Sequence, residues 1–310
     1  MRKLVAYKDI SHEEWLLWRK KGITGTDASA VVNLNPYRSA FAVYLDKVSA
    51  DIETADNEAM KQGRDLEEYV AKRFSEETGL KVRRANAIYY NEDHPFMLAD
   101  FDRLVIGQKA GLECKTVSPY AAHQWDDDNI PIHYQIQVQQ YLAVSGFDCW
   151  YIAALIFGKD FVIRKIERDE ELIKHLVTIE ERFWNDNVLV HIMPDPDGTD
   201  KCSEEIAKLY FKSKKEKAVE LLGFDSMLQR REELDALIKK MEKEKNTIDQ
   251  KIKLEMKDAT VGLSGKYKVS WPAVESTRLD TKRLKNEQPS VYADYCKTSS
   301  ARRFTVSHVA

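Results

Sequence analysis

The stretch Asp100-Phe-Asp-Arg-Leu-Val-Ile-Gly-Gln-Lys-Ala-Gly-Leu-Glu-Cys-Lys115 decides the reading of this 310-residue chain. An apolar run (Leu104, Val105, Ile106), a turn over 107–111 and a second short strand over 112–117 predict a β-hairpin. Residues two apart on a strand share a face, so Glu113 and Lys115 point one way and Cys114 the other. The hairpin can bring Asp102, near the start of its first strand, opposite them. Two carboxylates beside one lysine suit a hard divalent cation such as Mg²⁺, which takes oxygen ligands and keeps several waters. The lysine is a candidate to orient or deprotonate an attacking water, or to neutralise charge in a phosphoryl transition state. Asp, Glu and Lys on an exposed hairpin are also ordinary surface decoration, and Glu-x-Lys alone carries little information. The rest of the chain has to supply the weight.

Length allows one large domain and a smaller one. Hydrophobic residues at 43% and charged residues at 32% describe an ordinary soluble protein. No apolar run approaches a membrane span, and the N-terminus lacks the apolar core of a signal peptide. Cys114, Cys149, Cys202 and Cys296 are scattered without a C-x-x-C pair, which argues against structural zinc and for a reducing, cytosolic setting. A net charge of −3 neither supports nor excludes nucleic-acid binding, which would have to use local basic patches.

Residues 12–20 predict an amphipathic helix with Trp15 and Trp18 in the core. Arg19-Lys20-Lys21-Gly22 follows, then Thr26 or Asp27 as N-cap of a short helix reaching residue 32. Basic cluster, glycine turn and helix start together also make a plausible phosphate site; plain capping is the alternative. A turn over 33–36 precedes a helix over 41–48. The helix over 58–78 carries an apolar stripe of Leu66, Tyr69, Val70 and Phe74, with Glu68 on its solvated face beside Arg64 and Lys72. Glu67 falls on the inward face, where a carboxylate is costly unless paired or metal-bound; Arg64 or Arg73 are alternative partners. Strands are expected over 82–90 and 97–106. A helix from Pro131 to 145 is rich in glutamine: Gln135, Gln137, Gln139 and Gln140. Its glutamines read either as surface decoration or, for Gln137 between Tyr134 and Tyr141, as a half-buried amide near a water or phosphate. Strands over 149–157 and 161–166 and a helix over 170–187 follow.

Met193-Pro-Asp-Pro-Asp-Gly-Thr-Asp200 marks a break. It divides a core over 1–193 and a linker over 194–202 from a helical arm over 203–258. Leu234, Ile238, Met241, Ile248 and Ile252 have heptad-like spacing in that arm, with Lys245 interrupting. Residues 259–310 form a small basic extension, with nine Lys/Arg against four Asp/Glu from Lys266 to Arg303 and aromatics interleaved. It suits either DNA contact or packing as an appendage.

Four runs in order resemble the YqaJ-type phage recombination exonucleases, the lambda-exonuclease-like group of the PD-(D/E)xK nuclease superfamily. They are Arg19-Lys-Lys-Gly-Ile-Thr-Gly-Thr-Asp27, Gly63-Arg-Asp-Leu-Glu67, Leu98-Ala-Asp-Phe-Asp102 with Leu112-Glu-Cys-Lys115, and Tyr134-Gln-Ile-Gln137. The resemblance implies an α/β fold of restriction-endonuclease type, a mixed central sheet flanked by helices. It implies a Mg²⁺-dependent 5′→3′ exonuclease acting on double-stranded DNA ends, with a two-metal site that Mn²⁺ also suits. Asp102 and Glu113 would ligate metal, with Glu67 as a further ligand directly or through water. Lys115 would serve the water and Gln137 would assist. Arg19 and Thr26 would hold a 5′-phosphate, and Lys20, Lys21 and Arg103 are candidate DNA contacts. Thr26 stands where serine is usual, and Arg103 where glycine is common. The resemblance further implies a bacterial host cytoplasm, a phage single-strand annealing protein as partner and a homo-oligomer, a trimeric ring. A structure- or sequence-specific endonuclease and a non-catalytic DNA-binding scaffold are the alternatives.

Overall fold

The computed structural model describes residues 1–51, 57–212, 218–299 and 301–308. It divides into two units, Met1–Tyr210 and Phe211–Ala310.

The first unit opens with β1 (Arg2–Ala6), α1 (His12–Arg19), α2 (Gly25–Val31), α3 (Ala40–Val48) and the long α4 (Glu58–Thr78). The bounds of α4 follow local chemistry. Asn57 caps its first turn by accepting from the Met60 amide, and Gly79 ends it with a left-handed φ of 73°. Then come β2 (Val82–Arg84), β3 (Ala87–Tyr90), β4 (Leu98–Asp100), β5 (Arg103–Val105) and β6 (Ala110–Val117). The glutamine-rich helix α5 (Ile132–Ser145) leads to β7 (Cys149–Ile156), β8 (Asp160–Glu167), α6 (Glu170–Phe183) and α7 (Asp200–Leu209).

Each of the two long strands expected over 82–90 and 97–106 is two short strands that change sheets. β2 and β5 join a five-stranded sheet of order β2-β5-β6-β7-β8, whereas β3 and β4 join a three-stranded sheet of order β1-β3-β4. The first break falls at Asn86, which takes a left-handed φ of 53°, a conformation its short amide tolerates. The second falls at Phe101 and Asp102, where the chain leaves one sheet and enters the other. The larger sheet is mixed: β6 runs antiparallel to β5 and parallel to β7.

That sheet is covered on both faces. On one side, Val70, Ala71 and Phe74 of α4 pack on Leu112, Ala153 and Phe161. On the other, Val138, Tyr141 and Leu142 of α5 pack on Trp150, Ile152 and Ala154. Helix α5 is buried nearly all round, and three of its four glutamines, Gln137, Gln139 and Gln140, are interior side chains instead of decoration. Gln139 donates to the Glu167 carbonyl, and the fully buried Gln140 donates to that of Ile23. Each buried amide thereby ties the central helix to a neighbouring backbone.

Residues 192–199 form no regular element, and the first unit continues past them. Helix α7, placed in the linker and arm by sequence, belongs to the first unit and buries Cys202 at 1% exposure. The second unit holds α8 (Asp225–Met256), the hairpin β9 (Val261–Ser264) and β10 (Tyr267–Ser270), α9 (Thr281–Glu287) and α10 (Pro289–Asp294). The heptad-like stripe of the arm lies on α8, with Leu234, Ile238, Met241 and Ile248 exposed. Residues 213–217 of the expected arm lie outside the described residues. No described helix is long and apolar enough to cross a membrane.

Candidate active site

The hairpin forms, with its second strand starting earlier than expected, at Ala110. Period-two geometry then sorts β6. Leu112 and Cys114 face α4, while Glu113 and Lys115 face α5. Gln137 stands opposite on α5 and binds both: its carbonyl accepts from Lys115 Nζ at 3.0 Å, and its amide donates to Glu113 Oε1 at 2.7 Å. That amide also donates to the Tyr141 hydroxyl at 2.7 Å, which fixes its orientation. Lys115 Nζ lies 2.6 Å from Glu113 Oε1. Asp102, at the strand break, accepts from the Cys114 amide at 2.8 Å.

The electrostatics are strained in one direction. Burial, then the charges of Glu113 and Glu67, push the Asp102 carboxyl well above the usual carboxylate range, despite Lys115 and the Cys114 amide. Burial alone would lower Lys115, but Glu113, Tyr134 and Asp102 more than reverse it and hold the ammonium charged. A charged ammonium can orient a water or neutralise developing charge. Glu113 Oε2 is buried with no hydrogen-bond partner. A buried carboxylate oxygen left bare is costly, and a cation is what such an oxygen lacks.

This donor set fits a hard divalent metal: Asp102 at a sheet break and Glu113 on the neighbouring strand, the first crowded by like charge and the second with one oxygen unsatisfied. Among the described residues no three of His, Cys, Asp and Glu converge at ligand spacing. Glu67, expected as a third ligand, instead ion-pairs with Arg103, which also reaches Glu68 at 3.0 Å. Arg103, a candidate DNA contact by sequence, is engaged within the fold. Its side chain is 3% exposed and spent on two carboxylates of α4.

Arg19 and Thr26 do meet. Arg19 donates to Asp100 at 2.6 Å, to the Thr26 hydroxyl at 3.1 Å and to that of Thr24 at 3.3 Å. Asp100 is thus the carboxylate that anchors Arg19, and because the strand breaks it does not share a regular face with Asp102. The N-cap of α2 is Thr24, two residues before Thr26 and three before Asp27, with Asp27 accepting from its amide and hydroxyl. Trp15 and Trp18 are half-buried and carry cations rather than filling the core: Arg19 lies 4.6 Å over Trp15 and Lys21 3.4 Å over Trp18. Lys20, a candidate DNA contact by sequence, is engaged within the fold. Its ammonium donates to the carbonyls of Asp46, Ser49 and Asp51, which pins the chain leaving α3.

Two features escaped sequence reasoning. Asp27 is a buried ion centre, bound by Lys47 at 2.7 Å and Arg38 at 2.5 Å. Two cavities, of about 820 and about 530 Å³, are both lined by Thr26, Lys115 and Gln137. Thr26 thus joins the Lys115 centre to the Arg19 pocket. Tyr37, His133 and Tyr134 line the larger one.

A mixed sheet broken at an aspartate, with Glu-x-Lys on the next strand and a glutamine helix opposite, defines a lambda-exonuclease-like α/β fold. Residues 14–148 match the YqaJ-like viral recombinase domain. A protein named YqaJ from Bacillus subtilis (strain 168) is 39% identical over 311 residues, spanning 99% of this chain and 98% of that one. The chain belongs to the YqaJ family. Among solved structures it is similar to an alkaline exonuclease from Laribacter hongkongensis, at 20% identity and a TM-score of 0.51, over 64% of this chain and 99% of that one. The same exonuclease in complex with dAMP matches at 21% identity, with the same TM-score of 0.51 and the same coverage, 64% and 99%.

Proposed function

We propose that this protein is a Mg²⁺-dependent 5′→3′ exonuclease that resects double-stranded DNA ends and leaves 3′ overhangs for phage-type annealing. The observation that carries the reading is the bare, buried Glu113 Oε2 beside Asp102, with Lys115 charged and locked to Gln137. The similar solved structure, an alkaline exonuclease also seen in complex with dAMP, agrees with it.

Asp102 and Glu113 would hold the metal, and Glu67 joins them, directly or through water, if Arg103 releases it. A bound divalent metal supplies Lewis-acid polarisation of the phosphate and a more acidic water. The chain's own groups do the rest. Gln137, oriented by Tyr141, holds Lys115 in place, and the ammonium faces the charge that builds on the phosphoryl oxygens. Arg19 and Thr26 bind the 5′-phosphate, which makes attack depend on an end. By family resemblance the enzyme works as a trimeric ring in the bacterial cytoplasm with a phage single-strand annealing protein.

The test compares linear duplexes bearing 5′-phosphate or 5′-hydroxyl ends with a covalently closed circle, in Mg²⁺, Mn²⁺ and EDTA. Metal-dependent loss of linear DNA alone, faster with the phosphate, is expected. Cutting of the circle indicates an endonuclease, and no cutting in either metal a scaffold.

A further inference from the structure

The larger cavity has a wall that the reaction as described does not use. Tyr37 sits in the turn between α2 and α3 with its side chain largely in the open, at 63% exposure. It is not loose. Asn35 Oδ1 accepts from the amides of Tyr37 at 2.8 Å and Arg38 at 3.1 Å, and Asn35 Nδ2 donates to Ser29 on α2 at 3.0 Å. An exposed aromatic ring on a backbone turn fixed this way has its position set without being buried.

The ring is also the outer member of a series. Tyr37 meets His133 edge to face, with centroids 5.6 Å apart and planes at 87°. His133 lies 4.0 Å from Tyr134, and Lys115 Nζ sits 4.7 Å from the Tyr134 ring. The series therefore leads from open cavity to the lysine at the centre of the site. The cavity has about 820 Å³, within the usual range for small-molecule sites, and Arg38 and Thr26 line it as well. Rings next to cations in a groove are how proteins hold nucleic-acid strands without regard to sequence, since every base has a π-face.

We propose that Tyr37, with His133 and Tyr134 behind it, is a stacking shelf for the base of the 5′-terminal nucleotide. The inference rests on the nuclease reading and specifies its substrate: the terminal base is taken out of its pair and stacked while its 5′-phosphate lies at Arg19–Thr26 and the phosphodiester on its 3′ side faces Lys115. Recognition through a ring face makes digestion indifferent to base identity but dependent on a base being there.

The experiment uses the full chain and 5′-phosphorylated duplexes ending in a normal nucleotide or an abasic one, under single turnover. The wild type should cut the normal end about tenfold faster than the abasic end, the scale of one lost stack. Tyr37→Ala should bring that ratio to about one, chiefly through KM, and Tyr37→Phe should restore it. Equal rates of the wild type on both ends, or a Tyr37→Ala enzyme that keeps the tenfold ratio, overturns the shelf. A second readout does not need cleavage: fluorescence of 2-aminopurine at the 5′ terminus, bound in EDTA. Quenching by the wild type that is lost in Tyr37→Ala sustains the shelf, even if no duplex is cut and the nuclease reading itself fails. Binding with no quenching overturns the shelf and leaves the nuclease reading intact.

Discussion

Asp27 and Glu113 are both carboxylates inside the first unit, at 1% and 4% exposure, and their surroundings are opposite. Asp27 has a cation on each oxygen, Arg38 on one and Lys47 on the other, with Thr24 adding two donors. Glu113 shares one oxygen between Lys115 and Gln137 and leaves the other bare, and its neighbour Asp102 is crowded by like charge. Charge saturation is what a structural ion centre needs. A bare oxygen beside a second carboxylate is tolerated when something else completes the site. Burial of an acid is therefore a poor sign of function by itself; the state of each oxygen separates the two cases.

The contrast makes the largest effect an asymmetric one. Lys115→Ala or Glu113→Gln should cut the cleavage rate about a thousandfold, with the folded state and DNA binding kept. A rate within tenfold of wild type for either variant, with folding checked by circular dichroism, would remove the assignment.

Asp27→Asn should do the reverse. It leaves Lys47, 1% exposed, with only the longer 3.6 Å contact to Asp46 as a charge partner, a loss of about 2–4 kcal/mol, below that of a fully orphaned buried charge. Urea unfolding should show this as a lower midpoint. Equal stability of Asp27→Asn and Glu113→Gln would abolish the distinction between the two centres.

Acid sharpens the same point. Burial on its own would raise the Asp27 carboxyl, but Lys47, Arg38 and Arg19 override it and hold it below the ordinary value of 3.8. The unfolded chain then takes up the proton first. The stability from this group is present at neutral pH and drains away as pH falls below about 4. Urea midpoints between about pH 3 and pH 7 should fall toward acid in the wild type, and less steeply in Asp27→Asn.

Much of this was legible in the chain, and the limits are physical. Helix α4 has its expected bounds because its cap, stripe and terminal glycine are local signals. Glu113, Lys115 and Gln137 come together because strand alternation and the tyrosines flanking Gln137 are local as well. The sheet change at Asn86 and at Phe101–Asp102 is not local: nothing in a run of apolar residues says which neighbour its backbone will pair with. The same holds for ion partners. Arg103 with Glu67, Lys20 with three carbonyls and Asp27 with Lys47 join elements whose proximity only the fold creates. The buried glutamines had a signal that can be read differently: α5 has apolar residues all round, so no face was left for decoration.

Glu180 on α6 is a third buried carboxyl and the smallest expected effect. It is 0% exposed; neither its oxygens nor the Gln140 carbonyl oxygen has a well-formed hydrogen bond, though the Gln140 side chain lies within interaction range of it. Burial, together with the negative charge of Asp27, raises its carboxyl well above the usual range in spite of Gln140. The folded state therefore keeps a proton that the unfolded state releases. Stability from this group is greatest below the ordinary value of 4.5 and declines as pH rises toward the raised one. Glu180→Gln keeps the shape, offers an amide donor to the Gln140 carbonyl and does not titrate. It should be near parity with wild type at about pH 4 and more stable by about 1 kcal/mol at about pH 8, the scale of one relieved buried polar group. Thermal unfolding at both pH values checks this. A variant that is less stable at pH 8 would mean that Glu180 is charged and paired like Asp27, and would move it from the unsatisfied class to the saturated one.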